Sequence, residues 1–111
     1  WRAEPIFYGW KPNGAHRFFG GRKQDTVWEI DRPVASPDHP TMKPIALVQR
    51  AIENSSLVHE LVFDPFLGSG TTLIAAHRTN RICYGIEISP RYCDVILRRA
   101  EAEGLTVEKL N

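Results

Sequence analysis

One stretch limits the folds open to this chain: Phe63-Asp64-Pro65-Phe66-Leu67-Gly68-Ser69-Gly70-Thr71-Thr72. The apolar run Leu61-Val62-Phe63 leads into it, and Leu73-Ile74-Ala75-Ala76 follows with a helical pattern. Strand, glycine turn and helix in that order form the opening of a ligand-binding α/β unit. Gly68 and Gly70 allow a tight turn and a close approach of backbone to ligand. The helix start offers unpaired N–H groups and the positive end of its dipole to a polar or anionic group. Asp64 falls at the carboxyl end of the strand, where open α/β sheets place their ligands.

The segments around this turn supply the rest of the unit. Thr41 can cap a helix over residues 41–56, and Pro44 suits its first turn. Ile45, Val48 and Ile52 keep helical spacing, and Leu47 and Ala51 widen that stripe. A strand follows over residues 61–63, and a helix from about 72 to 78. Residues 82–88 read as a second parallel strand, apolar on both faces as a buried strand requires. Ser89 caps a last helix that Pro90 starts and Gly104 ends. Its inward stripe is Tyr92, Val95, Ile96 and Arg99.

Residues 1–31 read as β-structure with turns. Residues 6–10, 15–19 and 26–30 are the expected strands, with Pro12-Asn13-Gly14 as a turn between the first two. Phe7, Tyr8 and Trp28 read as core; Trp10, His16 and Arg17 stay undecided. Three prolines in residues 32–40 exclude a helix there and mark the boundary between a β part, residues 1–38, and an α/β part, residues 39–111.

Composition narrows the classes further. The chain has 111 residues, 42% hydrophobic and 24% charged, which suits one small globular unit. Its net charge of +1 excludes no partner. Residues 1–24 hold five basic side chains against one acid, Glu4, so that end suits phosphate or forms a solvated face. Trp10, Lys11, His16, Arg17, Arg22 and Lys23 are its candidates for DNA contact, since mixed aromatic and basic side chains grip bases and phosphates. Cys83 and Cys93 lack metal-ligand spacing and read as buried, reduced thiols of a cytoplasmic protein. The four histidines form no HExxH, so no metal site is expected. No signal peptide or membrane-spanning run is apparent. A start at Trp1 reads as the interior of a larger unit.

Glu87 breaks the apolar pattern of its strand. It lies 17 positions after Gly70, near the offset of roughly 20 at which an acid takes ribose hydroxyls in dinucleotide folds. Turn and acid together suggest a ligand with an adenosine end. A triphosphate loop needs GxxxxGK(S/T), and no lysine follows these glycines. A dinucleotide fingerprint needs a third glycine, which Leu73 replaces. S-adenosylmethionine (AdoMet) is the remaining candidate.

Asp64-Pro65-Phe66-Leu67-Gly68-Ser69-Gly70-Thr71-Thr72 resembles motif I of the DNA amino-methyltransferases, which methylate adenine N6 or cytosine N4. His39-Pro40-Thr41-Met42-Lys43-Pro44 resembles their motif X, and Gly85-Ile86-Glu87-Ile88-Ser89-Pro90-Arg91-Tyr92 their motif II. The order X, I, II is that of the β-group, and the residues before motif X resemble phage- and prophage-type members. The resemblance implies a partial Rossmann-like methyltransferase fold preceded by a small β-hairpin segment. It implies that Asp64, Pro65, Phe66, Gly68 and Gly70 wrap the methionine part of AdoMet. Ser69 and Thr71 would donate to its carboxylate, with Thr41 and Lys43 beside it. Glu87 would take the ribose hydroxyls, and Ile88 would pack on the adenine.

The chain departs from the family in one respect. The catalytic tetrapeptide, D/N/S-P-P-Y/F/W, which holds and stacks the flipped base, is absent. The β-group places that half first, so the resemblance implies a C-terminal, cofactor-binding fragment whose catalytic half precedes Trp1. Alone it would be inactive and prone to self-association or dimerisation; the complete enzyme would act on double-stranded DNA. A non-catalytic nucleotide-binding or DNA-interaction module is the alternative. A nicotinamide-dependent fragment is a third, disfavoured by the missing glycine.

Overall fold

The computed structural model describes residues 4–31 and 42–110. Five regular elements occur among them: α1 (Ile45–Ser55), β1 (Leu61–Asp64), α2 (Thr71–Arg78), β2 (Ile82–Gly85) and α3 (Pro90–Ala102). β1 and β2 are parallel neighbours, with Leu61 opposite Ile82 and Asp64 opposite Gly85. α2 is the crossover between them, so β1-α2-β2 is one βαβ unit. The α/β class is therefore as expected.

Each element follows from local chemistry. Pro44 is extended and precedes α1 as its N-cap, instead of lying within the first turn as expected; Thr41, the expected cap, lies outside the described residues. Ser89 Oγ accepts from the Tyr92 N–H at 3.4 Å and Pro90 occupies the first turn of α3, as expected. Gly104, with φ +69°, ends that helix. Its N–H donates to Glu101 O, and the Leu105 N–H to Ala100 O, which satisfies the last carbonyls. β2 stops three residues short of the expected end. Pro65 has no N–H to continue the ladder, and the chain after β1 turns away from the sheet.

The core lies on one side of the sheet. Ile52 of α1 meets Ala75 and Ala76 of α2, both at 0% exposure, with Val62 and Cys83 packed beneath. The two alanines let α1 and α2 approach closely. Ile74, Val95, Ile96 and Ala100 are buried as well. Burial of each large aliphatic side chain contributes about 1.5–3 kcal/mol.

Three expectations fail. The sheet is not covered on both faces: Leu61, Phe63, Ile82 and Tyr84 share the other face and are 50–59% exposed. Residues 4–31 contain no strand, although the Lys11–Gly14 turn forms, with the Gly14 N–H donating to Lys11 O at 2.9 Å. Strand propensity needs a ladder partner, and this segment meets α1 instead, through one backbone bond, the Phe19 N–H to Asn54 O at 2.7 Å, and through side chains. Gln24 donates to Asn54 Oδ1 at 2.6 Å and accepts from Asn54 Nδ2 and from Arg50. Phe7 and Tyr8 are not core, at 96% and 53% exposure. Trp28 is half-buried under the Arg50 guanidinium, 4.5 Å from its ring centroid.

Candidate cofactor-binding site

The site is built at the carboxyl ends of β1 and β2. Asp64 ends β1 and both its oxygens are engaged. Oδ1 accepts from the Phe66 N–H at 2.9 Å, and Oδ2 from the Thr72 hydroxyl at 2.7 Å. One carboxylate thus shapes the start of the turn and ties it to the first turn of α2. Leu67 donates its N–H to Ile86 O at 2.9 Å, which hooks the turn onto the continuation of β2.

Gly70 is the N-cap of α2, with φ +88°, a conformation costly for any residue with a Cβ. A Cβ there would also lie 3.0 Å from Ile96 Cγ1. No side chain caps α2, so its first-turn amides have no competitor from the N-cap.

Glu87 spans the gap between the two connections. Its Oε1 accepts from the Gly68 N–H and its Oε2 from the Ser89 N–H, each at 2.8 Å. A carboxylate has about four acceptor positions, and these bonds use two of them. Ile88 follows this glutamate directly and Phe66 lies within the glycine turn, bare at 95% and 87% exposure. Such apolar surface suits contact with a flat aromatic ring.

Behind the turn lies a residue that sequence reasoning placed on the inward stripe without a role. Arg99 of α3 donates from Nη1 to Ser69 O at 2.8 Å, and to Ser69 Oγ and Thr71 Oγ1 at 3.2 Å each. Burial, and then the like charge of Arg78, pull its pKa down. An arginine in an otherwise apolar stripe was the available signal. Thr71 is buried, and its hydroxyl faces Lys43 O at 3.4 Å. The Lys43 residue itself is exposed. Pro65 is exposed at the rim of the turn.

Cys83 lies in β2 and Cys93 in α3; both are free and half-buried, short of the full burial expected. Burial, and then the Asp64 charge, push the Cys83 thiol up to about 11. Among the described residues no group of three His, Cys, Asp or Glu side chains could hold a metal, and no helix is long and apolar enough to cross a membrane.

The residues proposed for DNA lie away from the turn's connections, in the strandless segment. Trp10 and His16 stack with centroids 3.8 Å apart, and His16 Nε2 lies 2.9 Å from the Tyr8 hydroxyl. Lys11, Arg22 and Lys23 are exposed. Arg17 is held differently: Glu60 takes it through two hydrogen bonds of 3.0 and 2.8 Å. That pairing raises the Arg17 pKa and lowers that of Glu60.

Known proteins match most of the described chain. A family model described as DNA methylase, N6_N4_Mtase, matches residues 10–98. Type II methyltransferase M.HpaI of Haemophilus parainfluenzae is 42% identical over 87 residues, which cover 75% of this chain and 28% of that protein. Type II methyltransferase M2.DpnII of Streptococcus pneumoniae is 41% identical over 90 residues, 78% of this chain and 34% of that protein. The M1.HpyAVI–SAM complex superposes with a TM-score of 0.61 at 30% identity, over 74% of this chain and 43% of that one. The chain spans about a third of the length of the curated relatives it matches.

Proposed function

We propose, since this chain belongs to the N6/N4 DNA methylase family, that it forms the AdoMet-holding part of an enzyme that methylates an exocyclic amino group of adenine or cytosine in double-stranded DNA. One observation carries the reading. Glu87 latches the glycine turn to the end of β2, at the place where an open α/β sheet receives a nucleoside. When bound, AdoMet supplies an activated methyl on its sulfonium sulfur.

The chain's own residues then divide the work. The turn of Asp64, Pro65, Phe66, Gly68, Ser69 and Gly70 surrounds the methionine part, and the α2 amides and Lys43 meet its carboxylate. Thr41 belongs to the same end in this reading. The two remaining acceptor positions of Glu87 take ribose hydroxyls, and Ile88 covers the adenine. The tetrapeptide that holds the flipped base is not among these residues, and in this reading it belongs to the remaining portion of the enzyme.

Trp10, Lys11, His16, Arg22 and Lys23 form the DNA-facing surface, with Arg17 in reserve because Glu60 holds it. The open sheet face at Leu61, Phe63, Ile82 and Tyr84 is covered by further polypeptide of the same enzyme or by a second copy. A DNA substrate and two free cysteines fit a cytoplasmic protein.

The test is direct. Full-length protein is incubated with methyl-tritiated AdoMet and duplex DNA, and the digested nucleosides are separated by mass spectrometry. Label in N6-methyladenine or N4-methylcytosine is expected. Label in neither, with AdoMet bound, would favour the non-catalytic binding module.

A further inference from the structure

Arg99 addresses the turn through its oxygens, and the direction of those hydrogen bonds decides what the two hydroxyls can still do. A hydroxyl has one proton to give and two lone pairs to accept with. Arg99 Nη1 shares its two protons among Ser69 O, Ser69 Oγ and Thr71 Oγ1, and it has no lone pair to accept with, so each hydroxyl must direct its own proton elsewhere. At Thr71 the destination is a backbone carbonyl. The side chain is 5% exposed and its proton points to Lys43 O. With one donor above and one acceptor below, Thr71 acts as a strut between α3, the turn and the start of α1. At Ser69, no acceptor for the proton is present among the described residues, and the residue is half-exposed at the turn.

We propose that Arg99 is a positioning residue that turns the Ser69 hydroxyl into an oriented donor for the carboxylate of the cofactor, while fixing Thr71 as structure. This rests on the cofactor reading above. A cation donating to the hydroxyl oxygen polarises the O–H bond and strengthens the next hydrogen bond along the chain. The Ser69 carbonyl, bonded to the same nitrogen at 2.8 Å, holds the backbone at that angle. Desolvation of the guanidinium makes the arrangement more effective, since a half-buried charge acts through a lower dielectric.

The experiment is a double-mutant cycle on the full-length protein, read by calorimetry with AdoMet and with decarboxylated AdoMet. Ser69→Ala and Arg99→Gln are each expected to weaken AdoMet binding by about tenfold, the worth of one charge-assisted hydrogen bond. The double variant is expected to lose about tenfold as well, because the two act as one relay. Decarboxylated AdoMet should bind parent and variants within about threefold of each other, which a merely structural arginine would not produce. Losses that multiply to about a hundredfold, or equal losses for both ligands, overturn the relay. If Arg99→Gln does not fold, Arg99→Lys replaces it, with a smaller loss that must still vanish in the Ser69→Ala background. Failure of the parent protein to bind AdoMet at all would instead remove the cofactor reading, so the two failures are distinguishable.

Discussion

Replacing Glu87 by glutamine tests whether the latch is structural as well as ligand-binding. The carboxylate accepts the Gly68 and Ser89 N–H groups at 2.8 Å through separate oxygens. Glutamine is nearly isosteric, but only one of its two terminal atoms accepts. One N–H must then face an NH2 group, donor against donor. The loss is that of one charge-assisted bond with its partner left half-buried, about 1.5–3 kcal/mol. At a urea dependence of about 2 kcal/mol/M, the midpoint of unfolding falls by roughly 1 M. Circular dichroism of the full-length protein in urea, without ligand, measures it. Glu87→Asp, one methylene shorter, cannot reach both connections and should fall by a similar amount. A midpoint within about 0.2 M of the parent for Glu87→Gln would refute the latch, because no unfavourable donor pair would then exist. Calorimetry separates the second role: Glu87→Ala must weaken AdoMet binding if the free lone pairs take the ribose.

Further outcomes follow from the same contacts. Gly70→Ala places a Cβ 3.0 Å from Ile96 Cγ1 at φ +88°; thermal denaturation should show a loss of at least about 1–2 kcal/mol. Asp64→Ala leaves the Phe66 N–H and the Thr72 hydroxyl without their shared acceptor; it should weaken AdoMet affinity by about tenfold in calorimetry. Cys83 titrates at about 11 in the fold, against 9.0 for an ordinary cysteine. The unfolded chain therefore loses this proton first, so stability contributed by Cys83 is complete below pH 9 and is lost as pH rises from 9 to 11. Denaturation of a Cys83→Ala variant alongside the parent across that window should show the difference, and iodoacetamide at pH 8 should label Cys83 only slowly.

What the sequence revealed and what it hid divide along the range of the interactions. Gly70, Pro90, Ser89 and Gly104 act within their own turn of chain, and each occupies the kind of position its chemistry suggested. The apolar stripes of α1 and α3 likewise need only their own periodicity. The first segment is different. Its aromatic runs have strand propensity, but a strand exists only with a partner, and the partner here is the side of α1. Gln24 and Asn54 lie 30 positions apart, so nothing local announces that pairing. Neither glutamate nor arginine at the turn declared its full part. Spacing marks Glu87 as a candidate ribose acid, but its grip on Gly68 and Ser89 needs the tertiary approach of two loops. Arg99 was visible as a charge in an apolar stripe, and only the fold brings the Ser69 oxygens to it.

The central claim is that the glycine turn and Glu87 hold AdoMet. Electron density in a co-crystal of the full-length protein with AdoMet tests it most directly. The ribose is expected against Glu87, the adenine against Ile88 and the carboxylate beside Ser69 and the start of α2. Density for AdoMet elsewhere, for example in the 870 Å³ cavity lined by Phe19, Gln24, Arg50 and Arg81, with the turn left bare, would contradict it.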